Sequence, residues 1–392
     1  MKNWLQAPTD PDFVQNPYPA YERARAQGSV LYWPAYGMKA VFSAAMVSAI
    51  QRDRRFGREP LEPLDYPPHL APFYAIEAHS MLELEPPRHK RLRGLVLRAF
   101  TSRRIKELGP EIEALCAHLL DDIALDQPFD LITAYATPLP VIVICRLLGV
   151  PEEMGSQLLK WSNDMVAMYQ ARRDLEIETR AARAASEFSD FIRAYINEKR
   201  SRPADDLITH LIAAEEDGET LSTDELITTC ILLLNAGHEA TVHTLGNGVK
   251  TLLENGAPKQ ALAPAHLEAT VEEILRFDPP LHVFTRYCYE DLEMGHTTFK
   301  RGEEVALMLA AANRDEQVWE EPNRFNHARP LKTNTSFGGG IHFCVGAPLA
   351  RLELQIALKT LFQRAPNLRI VEPPKYANLY HFHGLERLIL RA

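Results

Sequence analysis

Between Ser222 and Gly256 the chain carries an apolar, helix-periodic pattern with readable ends. Ser222 and Glu225 form an S-x-x-E capping box, and Gly256 with Pro258 closes the segment. Roughly thirty residues at about 1.5 Å each make a helix on the order of 45 Å long, enough to cross a whole domain. A helix so long, and so apolar in its first half, belongs at the centre of a fold. Helical periodicity from about Arg88 to Glu254, broken at Pro110, Pro138, Pro151 and Ser201–Asp206, supplies neighbours for it. Gly28–Phe42 alternates and is rich in aromatic and β-branched residues, which predicts a small hairpin. After Pro279 short strand-like runs (Val283–Tyr289, Val305–Leu309, Leu368–Val371) alternate with Pro and Gly turns around one more helix, Ala347–Arg364. Neither a repeat nor a low-complexity linker divides the 392 residues, so one mainly α domain over 1–392 with a smaller β-rich portion is expected.

A formal net charge of -9 and a pI near 5.9 argue against nucleic acid as a partner, because phosphate binding needs a basic surface. Cys116, Cys145, Cys230, Cys288 and Cys344 are odd in number, far apart and free of C-x-x-C spacing. That pattern suggests neither a disulfide framework nor a zinc ribbon, and fits a reducing, cytoplasmic setting. The opening MKNWLQAPTDPDFVQNPYPA is polar and proline-rich, and no later run is long enough to span a bilayer. Pro138–Val150, the most apolar candidate, is short, contains Pro140 and Arg146, and reads as a buried core helix.

Inside the long helix lies LLLNAGHEATVH, Leu232–His243. A zinc-protease helix needs H-E-x-x-H, since residues i and i+4 share a face. Here the second histidine comes at i+5, roughly 140° round the helix from His238, and Val242 holds the ligand position. His238 therefore reads as a hydrogen-bonded interior histidine. Gly237 costs about 1 kcal/mol relative to alanine in a helix interior. Such a cost is tolerated where the backbone must approach another group closely or the helix must open.

The more specific signal is SFGGGIHFCVGAPLARLELQIAL, Ser336–Leu358. A glycine-rich turn delivers Cys344 and the chain then enters a helix, whose positive end favours a thiolate. A thiolate is a nucleophile or a metal ligand. His342 stands two residues away, where neighbours on an extended segment meet with poor geometry, so a nucleophile–base pair is not favoured. A phosphate cradle lacks the Lys-Ser/Thr that should follow the glycines.

Phe337, Gly338, Gly340, His342, Cys344 and Gly346, in F-G-x-G-x-H-x-C-x-G, resemble the haem-binding signature of the cytochrome P450 family of haem-thiolate monooxygenases. Glu273 and Arg276 in EEILRFDPP match the family's E-x-x-R pair, and Arg329 in PNRFNHARP matches the arginine that locks against it. Asn16–Arg25, Glu85–Arg93 and Phe382–Leu388 resemble further family segments, so the likeness covers essentially the whole chain. It is similar to the bacterial type without a membrane anchor.

The resemblance implies a single large P450-type fold, with haem b between the long distal helix and the cysteine loop. Cys344 becomes the axial thiolate, shielded by Phe337–Phe343, and His89, Arg93, Arg286 and His342 fall at propionate-binding positions. Arg88, Lys90, Arg91, Arg93, Arg98, Arg103, Arg104 and Lys106 form a run with no acid among them. Some of these would face haem and others a ferredoxin, itself reduced from NAD(P)H by a ferredoxin reductase; for any single residue a merely solvated basic helix is the equal alternative. Ala236–Thr241 falls on the oxygen-handling face, where Gly237 would let the helix open and Glu239 matches the acid for proton delivery. The departure is Ala240, where the family usually has threonine; the alcohol here sits one residue later, at Thr241. A substrate hydroxyl or ordered water replacing that alcohol, a local distortion bringing Thr241 in, and poorly coupled or peroxide-driven turnover are the three readings.

Substrate contacts are expected by analogy from the segment after Arg58 through Ser80, and from Met165–Tyr169, Leu232–Ala236, His282–Phe284 and Leu379–Phe382. That mixture suits a lipophilic small molecule with one or two hydrogen-bonding handles. The expected activity is insertion of one oxygen atom from O2 by hydroxylation or epoxidation. The alternative is a haem-binding protein with peroxide-dependent or little monooxygenase activity, acting as a carrier or sensor.

Overall fold

The computed structural model describes residues 1–169, 173–216, 218–256, 258–379 and 382–392. The helices that matter for the site are, in chain order, α1 (Tyr18–Gln27), α2 (Ala44–Arg52), α3 (Arg88–Ala99), α4 (Pro138–Leu148), α5 (Leu175–Ser201), α6 (Thr223–Glu254), α7 (Leu267–Phe277) and α8 (Ala347–Arg364). The strands of the main sheet are β1 (Val30–Trp33), β2 (Met38–Val41), β3 (Phe56–Gly57), β4 (Val283–Cys288) and β5 (Glu304–Met308). The chain forms two compact units. One comprises residues 1–61, 111–136 and 240–392, and the other 62–110 and 137–239.

The first unit is built on the sheet, in the order β1-β2-β5-β4-β3. β1 and β2 are the predicted hairpin, with Val30 opposite Val41 and Trp33 opposite Met38. β5 then pairs parallel to β2 and antiparallel to β4. Because side chains alternate along a strand, β5 feeds two cores at once. Ala306 and Met308 join Trp4, Tyr21, Trp33 and Phe42 on one side, with α1. Val305 and Leu307 join Val47, Ile50 and Phe299 on the other, with α2. A sheet covered on both faces is fixed in register, since a one-residue slip would exchange the two cores.

In the second unit α5 buries Ala181, Ala182, Ala184, Ala185, Phe188, Ile192 and Ile196, a stripe at helical spacing. Its start is set by Asp174, whose side chain accepts from the Ile177 N–H at 2.8 Å. Pro138–Val150 is the core helix its composition predicted: α4 buries Leu139, Val143, Ile144, Cys145 and Leu148. Gly149 ends it at φ +78°, and a Cβ there would lie 2.4 Å from the Asp206 carboxylate, so no other residue fits. No helix among the described residues is long and apolar enough to cross a membrane.

The capping box is present: the Ser222 N–H donates to Glu225 Oε2 at 2.9 Å and the Glu225 N–H to Ser222 Oγ at 3.2 Å. α6 then runs 32 residues and stops before Gly256, at φ +69°. It begins in the second unit and ends in the first, with the division after Glu239.

Glu353 on α8 is 2% exposed, and burial pushes its carboxyl up to about 8. Folded chain therefore holds a proton that unfolded chain releases at about 4.3, and this contribution to stability is lost as pH rises between those values. Glu353→Gln should stabilise the protein at pH 8 by on the order of 1–3 kcal/mol, with the gain shrinking towards pH 4.5, as read by thermal denaturation.

Candidate functional site

The cysteine loop is shaped by close contact with α2. Gly338 and Gly340 sit at φ +69° and +67°, and a Cβ on Gly340 would fall 2.0 Å from the Gln51 carbonyl oxygen. Only glycine can occupy that position. A short 3-10 turn, Gly340–His342, brings the chain back so that the Cys344 N–H donates to the Phe337 carbonyl at 3.0 Å. Phe337 and Phe343 flank the loop with ring centres 6.3 Å apart, and the Arg351 guanidinium covers the Phe337 ring at 4.5 Å. α8 starts three residues after the cysteine, with Gly346 as its N-cap and the Cys344 sulfur 3.8 Å from where a Cβ on Gly346 would stand.

Cys344 is the exposed cysteine of the five. Burial pushes the other thiols up, Cys116 and Cys145 to about 11 and Cys230 to about 12, and raises Cys288 as well. Those four are held as neutral thiols. An accessible sulfur at a helix N-terminus behind a glycine loop is what a metal thiolate requires, so the donor set fits a haem iron.

The structure brings Glu273, Arg276 and Arg329 together. Arg276 grips Glu273 with two parallel bonds, Nε to Oε2 at 2.7 Å and Nη2 to Oε1 at 2.8 Å, and Arg329 Nε adds a third at 3.0 Å. The Asn326 N–H also donates to Glu273 Oε1, at 2.9 Å. Glu273 and Arg276 are 2% and 1% exposed, so this is no surface ion pair. Arg276 Nη1 continues to the Asn313 and Pro322 carbonyls. Asn313, which sequence reasoning passed over, then accepts from the Thr335 N–H and donates to Ser336 Oγ, while Ser336 Oγ donates to the Leu275 carbonyl. The ion pair thus fixes the strand of chain that leads into the cysteine loop. No sequence motif marks Asn313; its role comes from where the fold puts it.

Among the predicted anion-binding groups, Arg286 on β4 is 3% exposed, with Nη1 donating to the Thr285 carbonyl at 2.8 Å and the guanidinium 5.8 Å from the Phe284 ring. His342 is half-buried in the 3-10 turn. His89, 2% exposed, and half-buried Arg93 share one face of α3 in the second unit. The basic run is less bare than the sequence suggested. Arg91 meets Glu219 and Glu225, Arg103 meets Glu107, and Arg104 lies 3.9 Å from Asp205. Acids distant in sequence, and one on the next turn, neutralise part of it.

α6 runs as α-helix through Gly237. Against the protein's own atoms a Cβ at Gly237 would meet Ile144 at an ordinary 3.7 Å. His238 is 3% exposed and its Nδ1 donates to the Leu234 carbonyl at 2.8 Å, as an interior histidine should. Thr244 Oγ1 donates to the Ala240 carbonyl at 2.6 Å, and Thr241 is buried. Leu233, Ala236, Gly237 and Ala240 recur on one helix face and none is buried, while Glu239 is half-buried beside them. His243 closes on Gly384, where any Cβ would lie 1.9 Å from its Nδ1.

His282, expected to line a substrate cavity, is 1% exposed and bonded through Nδ1 to the Tyr21 hydroxyl at 2.9 Å. It faces the core instead. Tyr380 and His381, within the Leu379–Phe382 stretch expected to touch substrate, lie outside the described residues.

Comparison with known proteins matches residues 57–262 and 265–365 to the family model described as cytochrome P450. The chain belongs to the cytochrome P450 family. This P450 is 41% identical over 317 residues to cytochrome P450 107B1 of Saccharopolyspora erythraea, covering 79% of this chain and 76% of that one. It is 38% identical over 370 residues to the vitamin D(3) 25-hydroxylase of Pseudonocardia autotrophica, covering 91% and 88%. Among solved structures it superposes on P450BioI, crystallised with a hexadec-9Z-enoic acid ligated acyl carrier protein, with a TM-score of 0.92 at 32% identity, covering 97% and 99%. The P450 is thus a haem-thiolate monooxygenase, mainly α with a smaller strand portion.

Replacing Arg276 by methionine leaves the Glu273 carboxylate buried beside a single remaining guanidinium. The expected loss is roughly 3–5 kcal/mol, with reduced haem content, measured by urea denaturation and by the haem-to-protein ratio.

Proposed function

We propose that this P450 hydroxylates or epoxidises a lipophilic small molecule, in the cytoplasm, with electrons from NAD(P)H passed through a ferredoxin reductase and a ferredoxin. We read residues 1–392 as one catalytic domain and the cofactor as haem b, lying between α6 and the cysteine loop. The observation that carries this reading is the exposed Cys344 on its glycine-built loop ahead of α8. Bound there, haem supplies the oxygen-activating chemistry, and an anionic sulfur favours it more than a neutral ligand does.

The chain's own residues hold and serve the group. Cys344 ligates, and His89, Arg93, Arg286 and His342 take the propionates through charge-assisted bonds. Phe337, Gly338 and Gly346 close the loop around the sulfur. Glu239 moves protons towards the uncovered face of α6, and Gly237 and Ala240 keep that face free of bulk. Ala240 brings no alcohol, Thr241 stands about 100° away round an unbroken helix, and the Thr244 hydroxyl is committed to the Ala240 carbonyl. A substrate hydroxyl or ordered water therefore completes the relay.

The relatives support a lipophilic substrate. One is a vitamin D(3) hydroxylase, and one neighbour was crystallised with a fatty acid carried on an acyl carrier protein.

The reduced protein with carbon monoxide should show the red-shifted thiolate Soret band, and Cys344→Ser should abolish it; a wild-type spectrum without that band overturns the ligand assignment. Ala240→Thr should change product formed per NAD(P)H consumed with the true substrate, several-fold where the relay is substrate-assisted. Unchanged coupling would remove that relay.

A further inference from the structure

Entirely within the first unit, Asp278, His282 and His383 converge from chain segments a hundred residues apart. Asp278 caps the end of α7, His282 precedes β4, and His383 lies in the C-terminal turn. An isolated bridge joins Leu281 to Phe382, and the His383 N–H donates to the Pro280 carbonyl at 2.7 Å, so the two segments are tied at the backbone. Asn247 of α6 clamps the same place, its Nδ2 donating to the Asp278 carbonyl at 3.2 Å and the His383 carbonyl at 2.9 Å.

All three side chains are at least nine-tenths buried, and one ligand atom from each lies within 4.8 Å of the others. His383 Nε2 is 3.5 Å from Asp278 Oδ1, and the two imidazole rings are 4.5 Å apart. His282 engages the Tyr21 hydroxyl through Nδ1. Its Nε2 is buried and, among the described residues, has no hydrogen-bond partner. A buried ring nitrogen left so calls for an explanation. Tyr18 donates to Asp278 Oδ1 at 2.5 Å and Tyr376 donates to Oδ2, each leaving a lone pair on the oxygen it reaches. The Tyr376 ring also stacks on His383 at 3.8 Å. Two neutral imidazoles, one carboxylate and hydroxyl groups orienting each of His282 and Asp278 are the parts of a metal site with its supporting shell. Burial keeps both imidazoles in the neutral form that ligates.

We propose that Asp278, His282 and His383 bind one borderline divalent cation, of which zinc is the type, in a site of two imidazoles and one carboxylate separate from the haem. Ligand distances of about 2.0–2.2 Å require the donor atoms to stand roughly 3.2–3.6 Å apart, so the widest present separation shortens by about 1 Å on binding. The site is structural: it fastens the approach to β4, and so Arg286, to the C-terminal turn. Arg314 opposes the cation, but its guanidinium is drawn to the Phe277 carbonyl and stacked on the Tyr18 ring at 3.5 Å. The affinity is accordingly below that of a cysteine-rich site.

The test uses the haem-loaded enzyme. It is incubated with zinc, dialysed, and its zinc-to-iron ratio measured, followed by X-ray absorption at the zinc edge. One zinc per haem, with a nitrogen and oxygen shell containing two imidazoles, is the expected result. His282→Phe and, separately, His383→Phe should each reduce the ratio at least five-fold while the carbon monoxide spectrum stays that of wild type. No retained zinc, a thiolate or all-oxygen shell, or equal zinc in wild type and in a variant with a wild-type spectrum each overturns the proposal. If both variants lose haem, the wild-type absorption spectrum alone decides.

Discussion

A buried carboxylate shared by two guanidinium groups holds the chain that leads into the Cys344 loop. Glu273 fills its oxygens with Arg276, Arg329 and the Asn326 N–H, and Arg276 passes the constraint through Asn313 to Thr335 and Ser336. Charges this deep survive only because each is paired and each remaining donor has a carbonyl to meet. The arrangement therefore secures placement more than stability. Break one member and the segment entering the cysteine loop loses its anchor.

The loop converts that anchor into chemistry. Left-handed glycines let Gly338–Gly340 press against Gln51, and the returning backbone sets Cys344 at the start of α8. Accessibility separates this sulfur from the other four. Cys116, Cys145 and Cys230 are pushed towards the neutral thiol by the same burial that makes them good packing. One residue type thus serves two purposes in one chain, divided by solvent and by helix ends.

Much of the site was legible from residue order because its parts are local. The glycine spacing before Cys344, the i, i+3 spacing of Glu273 and Arg276, and the capping box at Ser222 each depend on neighbours within a few residues. The failures are non-local. His282 read as a substrate contact, yet Tyr21 and His383 draw it into a buried polar cluster. Arg91 and Arg104 read as part of an open basic face, and Glu225 and Asp205 meet them from more than a hundred residues away in both cases.

Residue order alone carried the family signature, the glycine-rich run that places Cys344 ahead of α8, the ends of α6 and the absence of an alcohol at Ala240. These follow from motifs and periodicities written along one stretch of chain. Folding settled which charges are paired, that Asn313 links the ion pair to the loop, and that Asp278, His282 and His383 meet. Those facts rest on side chains brought together across a hundred or more residues in most cases, and burial, which sets the energy of each charge, exists only once the chain has folded.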